Sequence, residues 1–159
     1  MKTLVVYDTR HGFTQRCVEM LQQEVPELEA WAINTPHSQS PELDKYEQLI
    51  LGGPVYFGRY SRRLVQFVQK HQALLKSKVC RFFVVGLSPR AAAQEYVKTA
   101  LGPDWEAQLG QLIFFGGAIQ WEKLTWWEKW LLKTARHIET DASNFDLQEV
   151  QKLVSDLRR

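Results

Sequence analysis

Short apolar, β-branched runs alternate with segments of helical periodicity about five times along this chain, and this alternation limits the folds open to it. The predicted strands are 3–7, 28–33, 47–51, 79–85 and 112–119. The predicted helices are 13–23, 61–75, 91–101 and 145–157. Such an order predicts an α/β fold, a doubly wound, five-stranded parallel sheet with helices on both faces. The commonest strand order for this length is 2-1-3-4-5.

The bulk properties indicate a single domain over residues 1–159, a length that can bury a core without metals or disulfides. The two cysteines, Cys17 and Cys80, stand far apart, which fits structural thiols, and no His/Cys cluster has the spacing of metal ligands. The N-terminal apolar run is too short for a signal peptide or a membrane span, so we expect a cytoplasmic protein. A net charge of +2 argues against a nucleic-acid binder.

The loop after the first strand is the first place to look for a binding site, because open parallel sheets bind ligands beyond the carboxyl ends of their strands. It reads Thr9-Arg10-His11-Gly12-Phe13-Thr14. Two hydroxyls thus bracket a glycine where a helix begins. Amides at a helix N-terminus suit a phosphate, and glycine lets the backbone approach closely. The simpler interpretation is an ordinary helix with threonine as its N-cap.

The pattern Thr9-x-x-Gly12-x-Thr14 directly after a first strand resembles the FMN phosphate loop of the flavodoxins. His11 stands where that family usually has threonine, and the first fifteen residues are similar to the start of the flavodoxin-type, quinone-dependent protoporphyrinogen oxidases. The resemblance continues through segments 51–60, 67–71 and 116–119. It implies a flavodoxin-like fold and FMN as cofactor. The phosphate loop that it implies comprises Thr9, Arg10, His11, Gly12, Phe13 and Thr14.

The resemblance implies that two further loops bind the flavin. The loop after the third strand would place aromatic side chains on the flavin and a mobile backbone near its N5 atom. Its residues are Pro54, Val55, Tyr56, Phe57, Gly58 and Tyr60. The loop after the fourth strand would cover the other flavin edge through Gly86, Leu87, Ser88 and Arg90. The alternative for the second loop is a set of core aromatics below an ordinary turn. No side chain stands out as a catalytic acid or base.

Cationic residues collect in and beside these three loops. They are Arg10, His11, Arg59, Arg62, Arg63 and Arg90. No acidic residue lies between Gly52 and Gln94. We expect this basic rim to attract anions, first the FMN phosphate and then a carboxylated hydrophobic substrate such as a porphyrin. Solvated surface charge is the simpler interpretation.

Trp126 and Trp130 lie on the basic side of a predicted helix within residues 120–138. Two tryptophans among lysines suit a surface that meets something apolar and anionic. Peripheral contact with the inner face of the cell membrane, a hydrophobic substrate and a dimer partner are all compatible with this pattern. The alternative is that both rings fold back onto the domain.

Three functions therefore remain open. The first is an FMN-binding redox protein that exchanges electrons with a partner protein. The second is a quinone-dependent protoporphyrinogen IX oxidase of haem biosynthesis. The third is an interaction module that has kept the fold without the flavin, and His11 in the phosphate loop is its best argument.

Overall fold

The central sheet has the predicted parallel order. The computed structural model describes residues 1–35, 39–119, 129, 142–143 and 145–159. Its main strands are β1 (Thr3–Tyr7), β2 (Glu29–Ala32), β3 (Gln48–Tyr56), β4 (Arg59–Tyr60), β5 (Val79–Val85) and β6 (Ile113–Gly116). The parallel strands follow the order β2-β1-β3-β5-β6, while β4 pairs with β3 as an antiparallel hairpin arm. Counted without that arm, this is the predicted order 2-1-3-4-5, which is confirmed.

Helices cover both faces of the sheet, as predicted. They are α1 (Phe13–Glu24), α2 (Arg62–Lys70), α3 (Gln72–Lys76), α4 (Arg90–Leu101), α5 (Glu106–Leu109) and α6 (Leu147–Leu157). Successive β1 residues point to opposite faces, so Val5 joins the core under α1 and α6, and Val6 joins the core under α2 and α4. Leu21 from α1 and Leu64 from α2 are fully buried, one on each side. Two cores therefore hold the sheet rigid between them.

The third strand is longer than predicted. The sequence indicates a stop at Gly52, Gly53 and Pro54, yet β3 runs through them to Tyr56. Gly52 is required within the strand, because a Cβ there would lie 2.2 Å from Cδ1 of the buried Phe83 ring. Pro54 lies beyond the last residue of β3 that pairs with β1, so its missing N–H falls where that ladder has ended. Gly52 therefore marks the close approach of β3 to the Phe83 ring, and Pro54 is accommodated within the strand.

Two other predicted elements are divided. The helix predicted over 61–75 is interrupted at His71, whose φ and ψ of −108° and 17° leave the helical region. The strand predicted over 112–119 ends at Gly116, with φ of 74°. Beyond it β7 (Ala118–Ile119) pairs with β8 (Ala142–Ser143) in a separate antiparallel ladder. Apolar periodicity continues across interruptions of one residue and cannot reveal them.

Both cysteine side chains are buried, in agreement with the structural role predicted for them. Burial raises the pKa of the Cys17 thiol to about 12 and that of the Cys80 thiol to about 11. Both thiols therefore stay protonated and unreactive at neutral pH. Within the described ranges, no helix has the length and apolar content needed to cross a membrane. Trp126 and Trp130, proposed for membrane contact, lie outside the described residues.

Replacing Gly52 by alanine tests the close approach of β3 and β5. The added Cβ would collide with a ring that is packed on all sides, and we expect a loss of about 1–3 kcal/mol in the free energy of unfolding. Gly110→Ala is the matched control, because its Cβ would meet Ala107 O at an ordinary 3.4 Å. Urea unfolding measures both variants, and equal midpoints would contradict the packing described here.

Candidate functional site

The loop after β1, residues 8–12, hereafter loop 1, ends in a glycine that begins α1. Gly12 is the N-cap of α1 with φ of 83°, and no side chain caps this helix. The alternative of a threonine N-cap is therefore wrong. Thr9 Oγ1 accepts a hydrogen bond from the Gly12 N–H at 3.1 Å, which folds the loop back on itself. Thr14, also predicted to hold the phosphate, lies in the first turn of α1 and is buried.

A second segment supports loop 1 from the side. Asn34, just after β2, donates from Nδ2 to the Thr9 carbonyl at 3.1 Å. The Ile33 N–H donates to the Tyr7 carbonyl at 2.8 Å and keeps the two chain segments together. Asn34 was not among the predicted site residues. The sequence offered one indication of its role, its place between a strand and a polar loop. Its hydrogen bond to Thr9 could not be predicted, because the two residues are 25 positions apart.

The loop after β3 is the turn of a tight hairpin, hereafter loop 2, residues 56–59. Tyr56 pairs with Arg59, so that only Phe57 and Gly58 form the turn. Both have positive φ, 47° and 76°, as a type I′ hairpin requires. Among the described residues Phe57 is the only non-glycine in this region, which is strained for an aromatic residue. Gly58 supplies the conformational freedom that the sequence predicted.

The two loops meet through their side chains. The Arg10 guanidinium carbon lies 4.1 Å from the centroid of the Tyr56 ring, a cation–π contact. The His11 ring lies 6.2 Å from Tyr56, and Phe57 packs edge-on against Tyr56 at 4.5 Å. Three of the residues predicted to bind the cofactor therefore surround the half-buried ring of a fourth, Tyr56. The site is built around Tyr56.

A buried polar contact fixes loop 1 to the start of α2. Ser61 Oγ donates to Asp8 Oδ2 at 2.7 Å, and the same Ser61 oxygen accepts from the Leu64 N–H at 3.2 Å as the cap of α2. Arg63 Nη1 lies 3.5 Å from Asp8 Oδ1. Gly53 makes room for this contact, since a Cβ there would lie 3.1 Å from Ser61 Cβ. Neither Asp8 nor Ser61 was among the predicted site residues.

The loop after β5, residues 86–90, is hereafter loop 3, and it packs against the end of β3. A Cβ on Gly86 would lie 3.1 Å from the Val55 carbonyl, and the Gly86 N–H donates to the Gly116 carbonyl at 2.9 Å. Ser88 is buried and Leu87 is half-buried. Arg90 is engaged elsewhere, because it pairs with Glu149 of α6 at 2.6 Å. Loop 3 adjoins the site, while the Arg90 guanidinium is held by α6.

The remaining predicted residues support the loops from below. Tyr60 is buried and its hydroxyl donates to the Phe83 carbonyl at 2.7 Å, and burial raises its pKa. Val55 is also buried, and Pro54 is half-buried. Phe13 packs edge-on against Phe145 at 5.8 Å. Within the described part of the chain, no cluster of His, Cys, Asp or Glu could hold a metal ion.

The family model described as a flavodoxin domain matches residues 4–146. This chain belongs to the flavodoxin domain family. Protoporphyrinogen IX dehydrogenase (quinone) of Escherichia coli strain K12 is 25% identical to it over 142 residues, covering 84% of this chain and 77% of that relative. The predicted resemblance to the quinone-dependent protoporphyrinogen oxidases is thereby confirmed.

Solved structures show the same fold. The flavodoxin, WrbA-like protein from Agrobacterium tumefaciens has a TM-score of 0.52 and 24% identity, covering 72% of this chain and 82% of that one. The flavoprotein in complex with FMN from Lactobacillus acidophilus NCFM has a TM-score of 0.50 and 13% identity, covering 73% and 91%. At these identities the likeness concerns the flavodoxin fold, in which loops 1 to 3 occupy the carboxyl edge of the sheet.

Replacing Ser61 by alanine tests the buried contact in this flavodoxin domain. The change removes the cap of α2 and leaves the buried Asp8 carboxylate without its hydrogen bond, so we expect a loss of about 2–4 kcal/mol in stability. Asp146→Ala is the control, because Asp146 caps α6 with a half-exposed side chain and its loss should be smaller, about 1 kcal/mol. Chemical denaturation measures both, and a Ser61 variant no worse than the control would refute the coupling.

Proposed function

We propose that this chain binds FMN across loops 1 and 2 and transfers electrons through it. The observation that carries the proposal is the junction of Gly12 and Tyr56. Arg10, two residues before the helix start at Gly12 that no side chain caps, places its guanidinium 4.1 Å from the centroid of the half-buried Tyr56 ring. FMN has a matching pair of parts, a phosphate and a flat ring system. Membership of the flavodoxin domain family agrees with this assignment.

The residues of loop 1 fit a phosphate. A Cβ on Gly12 would meet no atom within 4 Å, so the space above the helix start is open to a ligand. The first turn of α1 carries no acidic residue, in contrast to α6, which has Asp146 as cap and Glu149 in its first turn. An anion at α1 would therefore meet backbone amides and the positive end of the helix dipole without carboxylate competition. Arg10 and the Thr9 hydroxyl would complete the site.

The residues of loop 2 fit the ring. Tyr56 would stack on the isoalloxazine, and the strained turn at Phe57 and Gly58 would present backbone amide and carbonyl groups to its edge. Bound FMN supplies reversible acceptance of electrons or hydride, and the protein supplies binding and orientation. The buried hydrogen bond between Ser61 and Asp8 would hold loop 1 and the end of the hairpin together when the cofactor binds.

A second candidate function is oxidation of protoporphyrinogen IX with a quinone as electron acceptor. The relative from Escherichia coli is named for that reaction, and exposed arginines beside loop 2 suit the carboxylates of a porphyrin. Anaerobic addition of protoporphyrinogen IX to the FMN-loaded protein tests it. Bleaching of the flavin absorbance supports this activity, and an unchanged spectrum leaves the chain as a redox carrier.

Two glycine variants isolate the contribution of loop 1. Gly12 and Gly102 have nearly the same φ, 83° and 82°, and neither has an atom within 4 Å of an added Cβ. Alanine at Gly12 should lower stability by about 1 kcal/mol, and alanine at Gly102 should cost more, about 1–3 kcal/mol, because its ψ of −179° falls in a region that is essentially restricted to glycine. Only Gly12→Ala should weaken FMN binding, roughly 10-fold or more, because its Cβ would stand between the helix amides and the phosphate.

Quenching of flavin fluorescence during titration of the FMN-free protein gives both affinities. Equal FMN affinity in the two alanine variants would contradict a phosphate site at loop 1. Complete absence of quenching with the unmodified protein would favour the third function, an interaction module without flavin.

A further inference from the structure

Three exposed arginines stand together where the loop 2 hairpin enters α2. Arg59 lies on β4, and Arg62 and Arg63 are the first two residues of α2. Arg59 is the hairpin partner of Tyr56, and Arg63 reaches Asp8 of loop 1. These three residues, hereafter the arginine surface, therefore border both loops of the proposed flavin site.

Two of the three arginines, Arg59 and Arg62, form no ion pair that holds the described part of the fold together. In the described part of the chain, Arg81, Arg90 and Arg158 each form an ion pair with a carboxylate of another element. Neither Arg59 nor Arg62 forms an ion pair there, although both are exposed. Arg63 keeps 61% of its side chain exposed while paired with Asp8.

The position of Arg62 and Arg63 is also unfavourable for stability. Both lie in the first turn of α2, next to the positive end of the helix dipole, where cations are destabilising. The first turn contains no acidic residue, and Asp8 of loop 1 offsets Arg63 alone, at 3.5 Å. Arg62 is a cation without an ion pair in the described part of the chain, at the unfavourable end of a helix, which indicates a role in binding rather than in folding.

We propose that the arginine surface docks a protein redox partner through a carboxylate-rich face of that partner. The inference rests on the proposed function, since it places the partner beside the flavin. Guanidinium groups pair with carboxylates in bidentate fashion, and complementary charge speeds the encounter of transient electron-transfer partners. Such complexes need only a small interface.

The described surface favours a protein over a membrane as the occupant. Peripheral membrane binding is usually reinforced by apolar side chains that enter the lipid. The large apolar side chains that are exposed in the described ranges are Met1, Val79 and Leu147. None of them belongs to β4 or α2, so within the described ranges the arginine surface carries charge without an exposed apolar anchor.

Charge reversal with two redox proteins of opposite charge tests the proposal. Reduced plant-type ferredoxin, which is acidic, donates one electron per encounter to the FMN-loaded protein, so the cluster is oxidised and the flavin reduced. Cytochrome c, which is basic, accepts one electron from the reduced protein. We expect R59E/R62E to slow the ferredoxin reaction about tenfold at low ionic strength and to accelerate the cytochrome c reaction. The milder R59Q/R62Q should give intermediate rates.

The control variant K45E/K152E carries the same change of charge, just before β3 and on α6. It should leave the ferredoxin rate within about twofold of the unmodified protein, because Lys45 lies at the amino end of β3, opposite the loop 2 hairpin, and α6 packs on β6 at the edge of the sheet. If both double variants slowed the ferredoxin reaction equally, the proposal would be overturned, because the change in net charge alone would then explain the slower rate.

Two further readouts separate the possible failures. Calorimetric titration of ferredoxin into the FMN-free chain measures the affinity of docking without flavin. Loss of that affinity in R59E/R62E supports docking of a protein at the arginine surface even if FMN does not bind. Failure of FMN binding itself contradicts only the proposed function. Arginine-dependent binding to phosphatidylglycerol vesicles, with ferredoxin affinity unchanged in R59E/R62E, would overturn the protein partner in favour of a membrane.

Discussion

The site depends on the contact of the ends of β1 and β3. The Asp8 N–H donates to the Gly52 carbonyl at 3.1 Å, and the Asp8 side chain accepts from Ser61 at 2.7 Å. Gly53 lies between them without a Cβ, so the carboxylate and the hydroxyl can meet. Because Ser61 also caps α2, one buried polar group fixes loop 1, the end of the hairpin and the next helix together.

Loop 3 reaches the same carboxyl edge of the sheet through similar close contacts between backbone segments. A Cβ on Gly117 would lie 2.7 Å from the Gly86 backbone, and one on Gly86 would crowd the Val55 carbonyl. The hairpin turn stores strain at Phe57, which the paired residues Tyr56 and Arg59 hold in place. A rigid sheet with two cores thus supports a strained, aromatic loop at its carboxyl edge.

Much of this arrangement could be predicted from the sequence because it follows from local patterns. Strand and helix alternation gave the sheet order, and hydroxyls around Gly12 after the first strand indicated where a phosphate would bind. Tyr56 and Arg10 were both predicted, but their contact requires the fold to bring them together.

What could not be predicted depends on distant partners. Asp8 and Ser61 are 53 residues apart, and neither sits in a pattern that indicates the other. Arg90 is drawn to Glu149, which lies 59 residues further along the chain. The glycines of β3 indicated a turn, because sequence alone does not show the Phe83 ring that requires Gly52. Long-range packing therefore decided which predicted residues line the loops and which support them.

The central claim is that loop 1 binds the phosphate of FMN while loop 2 holds its ring. Comparing the affinities of FMN and riboflavin tests it most directly, since the two ligands differ only in the phosphate. Two or more charge-assisted hydrogen bonds at the start of α1 predict that FMN binds roughly 100-fold more tightly than riboflavin. Equal affinities would contradict the account, because the phosphate would then make no favourable contact with loop 1.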